Sequence, residues 1–224
     1  DKTSIFGGIV AANREIDLET AQMLKPIFLE IVMAPSFAPD ALELLCTKKN
    51  LRVLKVDMTK DNVVRKQYVS MNGGMLVQDR DINTKPVSAD QCVTEAKPTA
   101  EQLEDLEFAW KIVKHVKSNA IVVAKNGMTY GVGAGQMNRI GSAEIALKQA
   151  RNTLKEEGKD IMTEGLVLAS DGFFPFNDCV ALAAEYGVKA IVQPGGSIRD
   201  EDSVKLANEK GITMLFTGER HFKH

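Results

Sequence analysis

The apolar positions of this chain change their spacing repeatedly along its 224 residues, and the changes mark out alternating strands and helices. Gly7-Gly8 leads into Ile9 to Ala12, an apolar run expected to form a buried strand. Asp17 to Leu24 carries acids in its first turn and predicts a helix. Ile27 to Ala34 predicts a strand that Pro35 ends. In SFAPDALELLCTKKN, Pro39 sits near a helix start, acids fill the first turn, Leu42, Leu45 and Cys46 share one face, and lysines close the end. Leu51, Val53 and Val56 alternate enough to predict a strand over Leu51 to Met58. Strand, helix, strand, helix, strand in this order implies α/β layering.

Beyond Asp57 the pattern changes. Val63 to Val77 has β character around Gly73-Gly74, whereas Gln78 to Pro98 is polar, holds Pro86 and Pro98, and reads as a surface excursion or linker. Thr99 and Gln102 form a capping box, and Leu103, Leu106, Trp110 and Val113 then fall on one face of a helix that runs to about Val116. Its tryptophan reads as core. The stretch Ser118 to Ile140, SNAIVVAKNGMTYGVGAGQMNRI, follows with two apolar runs joined by Asn126-Gly127, the strongest short-range signal for a two-residue hairpin. Its second strand passes into Gly131, Gly133 and Gly135, where a backbone free of side chains could approach a ligand, and the next helix would aim its free N–H groups at the same place. Ala143 to Leu154, Asn177 to Tyr186 and Ser203 to Glu209 predict helices; Gly165 to Ala169, Val188 to Val192 and Ile212 to Phe216 predict strands. Each strand exit is rich in Gly, Asp, Ser, Asn or aromatic residues. Ligands of open α/β sheets bind beyond the carboxyl ends of strands, so Ser170 to Asp178, Gln193 to Ser197 and Thr217 to His224 become joint candidates.

A net charge of -2, with acids and bases interspersed, gives no electrostatic footprint for nucleic acid or a membrane surface. No apolar run approaches the roughly 20 residues of a membrane span, and the start of the chain shows neither a signal nor a transit peptide, so a cytoplasmic protein is expected. The cysteines Cys46, Cys92 and Cys179 are odd in number and far apart, and read as buried thiols. The glycines match neither the dinucleotide fingerprint nor the P-loop, and the H-x-E and P-C-x-x-C motifs of a zinc deaminase are absent. Every candidate also has a structural reading. Phe173, Phe174 and Phe176 suit a core, Asp171 or Asp178 could cap the following helix, and His115 late in a helix complements its dipole. RHFKH would pass for a frayed tail but for the strand directly before it. On residues alone, a generic α/β protein binding a sugar or nucleotide stays open. The chain opens on Asp1 directly into SIFGGIVAAN, which reads like the middle of a domain, so a piece of a larger protein is expected.

KSNAIVVAKNG, GVGAGQMNRI, SDGFFPFNDCV, IVQPGGSIRDED and TGERHFKH, in this order, resemble the carboxy-terminal part of the bifunctional purine biosynthesis family, AICAR transformylase/IMP cyclohydrolase; SIFGGIVAANREIDLETA and IVMAPSFAPDALELL extend the resemblance over the chain. The resemblance implies an α/β fold of three-layer cytidine-deaminase-like units with mixed sheets and no zinc. Residues 1–98 would hold the end of a first unit plus a linker, and 99–224 a second unit. It implies a formyltransferase that moves a formyl group from 10-formyltetrahydrofolate to AICAR, in a homodimer whose cyclohydrolase domain lies outside this chain. The Lys-His pair of the family's formyl transfer has no counterpart here, since Lys114-His115 and Lys223-His224 belong to other motifs, so the chain alone could instead be a non-catalytic folate- or nucleotide-binding piece.

By motif, the resemblance gives Asn119 the transferring formyl group. Phe173, Arg220, Phe222 and His224 would line the AICAR pocket, and Asn138, Arg139, Ile140, Pro175 and Asp178 the folate side. Asp171 is implied as a potassium ligand. GQMNRI and SDGFF depart from the family's GQ(M/Q)SR and SDAFF, with Asn138 keeping a polar group and Gly172 expected to matter little.

Overall fold

A computed structural model describes residues 4–58, 64–82 and 85–224. Asp1, from which the chain reads as a piece of something larger, and Val63, where the β-rich stretch is expected to begin, lie outside the described residues. The chain forms two compact units, Asp1–Arg80 and Asp81–His224.

The first unit is a parallel sheet in the order β1 (Gly8–Ala11), β2 (Leu29–Ala34), β3 (Arg52–Lys55), with helices α1 (Leu18–Leu24) and α2 (Pro39–Cys46) in the crossovers. Asp17 caps α1 by accepting from the Thr20 amide at 2.8 Å, and Pro39 opens α2, where a missing N–H costs nothing. Ile16, Ala21, Leu29, Val32, Ala34, Ala41 and Leu45 form its core. The expected buried strand at Ile9 is instead an edge strand with Ile9 59% exposed, because β2 covers only one side of it. Cys46 is likewise exposed, and of the cysteines only Cys179 is fully buried. Gly73 and Gly74 turn a separate antiparallel hairpin, β4 (Lys66–Met71) with β5 (Gly74–Asp79).

The second unit is a mixed five-stranded sheet in the order β10 (Thr213–Phe216), β9 (Ala190–Gln193), β8 (Val167–Ser170), β6 (Ile121–Lys125), β7 (Met128–Gly133). β8, β9 and β10 are parallel; β6 is antiparallel to both β7 and β8. Alternate residues of each strand serve opposite faces. Ala120, Val122, Ala124, Val167, Ala169 and Leu215 pack against Leu106, Ala109, Trp110 and Val113 of α3 (Ala100–Val113). Ile121, Val123, Leu168, Ile191 and Met214 face α4 (Arg139–Glu156), α5 (Asp178–Glu185) and α6 (Asp200–Lys210). The result is three layers.

The predicted capping box is present: the Thr99 hydroxyl accepts from the Gln102 amide at 3.2 Å and the Gln102 side chain accepts from the Thr99 amide at 3.0 Å. The predicted hairpin turn is also present, with positive φ at Asn126 (51°) and Gly127 (65°). Buried Asp105 on α3 fixes it by accepting from the Gly127 amide at 3.1 Å. The polar segment expected to be a linker is bound to the sheet in its latter part. Cys92 bridges to Leu215, Val93 donates to the Met214 carbonyl at 2.9 Å, and the buried Thr94 hydroxyl accepts from the Met214 amide at 2.9 Å. It satisfies the open edge of β10, a need that the polar composition of the segment does not reveal.

The glycines of the bend have a different purpose from the one their spacing suggests. A Cβ on Gly131 would overlap the Ala146 carbonyl oxygen, and one on Gly133 would overlap the Ser142 carbonyl oxygen. What comes close to this backbone is α4 rather than a ligand. Gly133→Ala is therefore expected to cost about 3 kcal/mol or more by forcing α4 off β7. Gly127→Ala, with open space around it but a positive φ, should cost about 1 kcal/mol. Urea denaturation of the two variants checks the order, and equal losses would contradict it.

Candidate functional site

Because β6 runs against β8, the residues entering β6 lie beside those leaving β8, and the end of β7 joins them: Ile121 pairs with both Ser170 and Gly133. The exits of β9 and β10 lie at the same end, since both run parallel to β8. Topology thus gathers the Ser118 entry, the glycine bend and the candidate segments at Ser170, Gln193 and Thr217 along one sheet end.

Asp171 is at the centre of this end. Its side chain is fully buried and accepts from the Ala120 amide at 3.1 Å, from the Ser118 hydroxyl and from the Arg139 guanidinium. Arg139, 7% exposed, is the first residue of α4. Besides Asp171, it donates through Nη1 to the Ser170 hydroxyl at 2.8 Å and through Nη2 to Asn119 Oδ1 at 2.9 Å. Asn119 is anchored further by its own Nδ2, which donates to the Gln136 carbonyl at 2.8 Å, and by its carbonyl, which accepts from the Ser142 hydroxyl at 2.7 Å. One buried carboxylate therefore ties together the hairpin entry, the helix after the glycine bend and the exit of β8.

The terminal RHFKH closes the same knot rather than fraying. The His221 amide donates to the Asp171 carbonyl at 2.9 Å; Ser118 and Lys223 exchange bonds, the Ser118 amide to the Lys223 carbonyl at 2.8 Å and the Lys223 amide to the Ser118 hydroxyl at 3.0 Å. The buried His221 ring lies 4.5 Å from the Trp110 ring and bonds Asp81 through Nδ1, so this histidine belongs to the α3 side. Burial lowers the pKa of neighbouring His115, and the positive charges of Lys114 and Lys223 lower it further.

The site residues named from sequence are placed unequally. Phe222 is part-exposed beside Gly172, the Arg220 guanidinium lies 5.3 Å over its ring, and the exposed His224 ring lies 5.9 Å from it. Phe173 is half-buried and Pro175 exposed, while Phe174 alone of the three phenylalanines is fully in the core and Phe176 is half-exposed under Arg199. Asn138 caps α4, its Oδ1 accepting from the Gly141 amide at 2.7 Å. Ile140 packs partly into the core next to it. Asp178 Oδ1 accepts from the Cys179 amide at 2.8 Å at the start of α5. Cys179 is inert, as burial and then the Asp178 charge push its thiol up to about 12. Sequence reasoning placed Ser118, Gln136, Ser170 and Gln193 within candidate stretches but gave none of them a role. Buried Gln193 accepts from the Phe174 amide at 3.1 Å and so sets the course of the chain after β8. A polar residue ending a wholly buried strand, as in VLAS and AIVQ, was the available signal.

A family described as the AICARFT/IMPCHase bienzyme matches residues 1–149. The chain belongs to this family. It is 59% identical over 224 residues to the bifunctional purine biosynthesis protein PurH of Anoxybacillus flavithermus, covering 100% of this chain and 42% of that protein. The corresponding protein of Lactobacillus delbrueckii subsp. bulgaricus is 56% identical over 226 residues, with the same coverage of 100% and 42%. The chain thus spans less than half the length of these relatives. Among solved structures, a diaminohydroxyphosphoribosylaminopyrimidine deaminase/5-amino-6-(5-phosphoribosylamino)uracil reductase of Thermotoga maritima matches 50% of this chain and 34% of its own at 21% identity. Its TM-score of 0.31 is too low to bear on the fold.

At the Asp171 carboxylate, the expected potassium ligand, Oδ1 accepts from the Arg139 guanidinium and the Ala120 amide, and Oδ2 accepts from the Ser118 hydroxyl. Among the described residues, no group of three or more His, Cys, Asp or Glu side chains could hold a metal ion. Nor is any helix among them long and apolar enough to cross a membrane.

Gly172 matters more than its sequence suggests. A Cβ there would lie 2.5 Å from Arg139 Nη2 and 2.8 Å from Phe222 Cε1. Phe222, part-exposed near the chain end, can swing aside; Arg139 is held by its bonds. Gly172→Ala is expected to cost about 1–2 kcal/mol in thermal or urea denaturation through this crowding, whereas a neutral result would mean that the pocket adapts freely.

Proposed function

We propose that this chain is the carboxy-terminal part of the transformylase region of a bifunctional purine biosynthesis enzyme. Its second unit, with a cytidine-deaminase-like arrangement of layers, would form one wall of the site where a formyl group passes from 10-formyltetrahydrofolate to the 5-amino group of AICAR. The observation that carries this reading is the fixed amide of Asn119, held between Arg139 and Gln136 at the sheet end where the glycine bend, the SDGFFPF motif and the terminal RHFKH meet.

The reaction forms a bond between the amine nitrogen and the formyl carbon and breaks the bond from that carbon to N10 of the folate. The amine loses a proton and N10 regains one. Conjugation with the imidazole and carboxamide makes this amine a poor nucleophile, so the rate depends on juxtaposing both substrates and on stabilising the tetrahedral oxyanion. Asn119 would donate from Nδ2 to that oxygen. Exposed Arg220 would offer its fork of donors to the 5'-phosphate, with Phe173, Phe222 and His224 lining the rest of the AICAR pocket. Asn138, Ile140, Pro175 and Asp178 would face the folate, with Arg139 contributing there through its backbone, since its guanidinium is committed inward. Proton transfer is assigned to the Lys-His pair that this chain lacks. The working enzyme would be a cytoplasmic homodimer.

In a full-length protein containing this sequence, Asn119→Ala should lower kcat by about a hundredfold or more. KM for either substrate should stay within about twofold. Steady-state kinetics test this, and an effect confined to KM would remove Asn119 from the oxyanion role. The isolated chain should bind AICAR and a folate analogue only weakly in titration calorimetry and form no FAICAR. Turnover by the isolated chain would show that the missing Lys-His pair is dispensable.

A further inference from the structure

We propose that Arg139 is a positioning residue that fixes the polarity of the Asn119 amide, an inference that rests on the transformylase reading of Asn119 and deepens it. An asparagine side chain is nearly symmetric in shape, and a half-turn exchanges its oxygen for its NH2. Here the two neighbours settle which end faces which. The guanidinium of Arg139 can only donate, and its Nη2 lies 2.9 Å from Oδ1; the Gln136 carbonyl can only accept, and it lies 2.8 Å from Nδ2. The reversed amide would set two donors against each other on one side and two acceptors on the other. One Nδ2 hydrogen is taken by Gln136, and the second has no protein acceptor among the described residues. That second N–H is the donor the reacting oxygen would meet.

Arg139 is itself immobile, which is what the role demands. It is 7% exposed and both of its Nη1 donors are taken by buried Asp171 and Ser170; the Ser170 hydroxyl in turn donates to the Gly172 carbonyl at 2.7 Å. The planar fork makes this possible: one guanidinium reaches Asp171 and Ser170 through Nη1 and Asn119 through Nη2, and a lysine ammonium, a point donor, cannot span all three in that geometry. The part of GQMNRI that the resemblance places on the folate side thus acts, through its arginine side chain, on the formyl side.

Arg139→Lys separates positioning from folding, because it keeps a cation facing Asp171 while giving up the bond to Asn119. The first measurement is hydrogen exchange of the Asn119 side-chain NH2 by NMR in this chain, with the backbone amide spectrum as the check on fold. The proposal expects a native backbone spectrum and exchange of the Gln136-bound hydrogen faster by about tenfold or more, the loss of one charged hydrogen bond. Unchanged exchange in a folded variant overturns it. If the lysine variant does not fold, Asn119→Asp supplies the test on the other side. It keeps an acceptor for Arg139 but opposes the Gln136 carbonyl, so the lock requires the Gln136 segment to shift in its amide resonances, and no shift overturns the proposal. The second measurement is kinetics of Arg139→Lys in a full-length protein, where kcat should fall about tenfold or more with KM little changed. Faster exchange with undiminished kcat supports the lock and instead defeats the oxyanion role of Asn119, so the two readings fail separately.

Discussion

Asp171 and Arg139 have both left water, and the site end of the second unit depends on their remaining paired. Isolating either charge in a protein interior costs several kcal/mol, which the mutual attraction offsets only when the remaining donors and acceptors are also satisfied. Here the partners come from separate stretches of chain. The Ala120 amide and Ser118 hydroxyl come from the entry to β6, Ser170 from the end of β8, and Asn119 from the residue between Ser118 and Ala120. A buried pair of this kind is weak evidence of stability, whereas removal of either partner strands the charge of the other. The terminal segment joins through the backbone, with the His221 amide on the Asp171 carbonyl and Lys223 paired to Ser118.

The pair can form only if α4 starts at the right place. Gly131 and Gly133 allow the backbone of β7 to lie directly against the carbonyls of Ala146 and Ser142, nearer than any side chain would permit. Asn138 caps the helix, and Arg139 then enters the sheet end as its first residue. Glycine spacing, helix capping and the buried ion pair are thus successive steps of one construction, running from sequence to local geometry to the orientation of a single amide.

What the sequence disclosed was whatever is decided locally. Asn126-Gly127 specifies its turn because both positions need positive φ, Thr99 with Gln102 specifies a helix start, and Pro39 another. The convergence of strand exits was also legible, since it follows from the order of strands and helices. The hub was not. Arg139 and Asp171 stand 32 residues apart and Ser118 and Asp171 53, and nothing at either position announces the other. The same holds for Thr94, which meets Met214 across 120 residues in a segment whose polarity reads as linker. Ile9 and Cys46 show the converse error: an apolar run predicts a strand, but whether it is covered depends on its place in the sheet, and a thiol at a helix end need not face the core. The AICARFT/IMPCHase resemblance pointed to the motifs at this sheet end; the close packing at Gly131, Gly133 and Gly172 and the bonds of the Arg139 side chain emerge only from the fold.

The organisation of this sheet end rests on the coupling between the two buried charges. A double-mutant cycle of Asp171→Asn and Arg139→Met, read by urea denaturation, measures it directly. Each single change should cost about 3–5 kcal/mol by stranding its partner. The double variant should lose less than the sum of the two by about 2 kcal/mol or more. Losses that add to within about 0.5 kcal/mol would show that the charges do not depend on each other, and the sheet end would need another organiser.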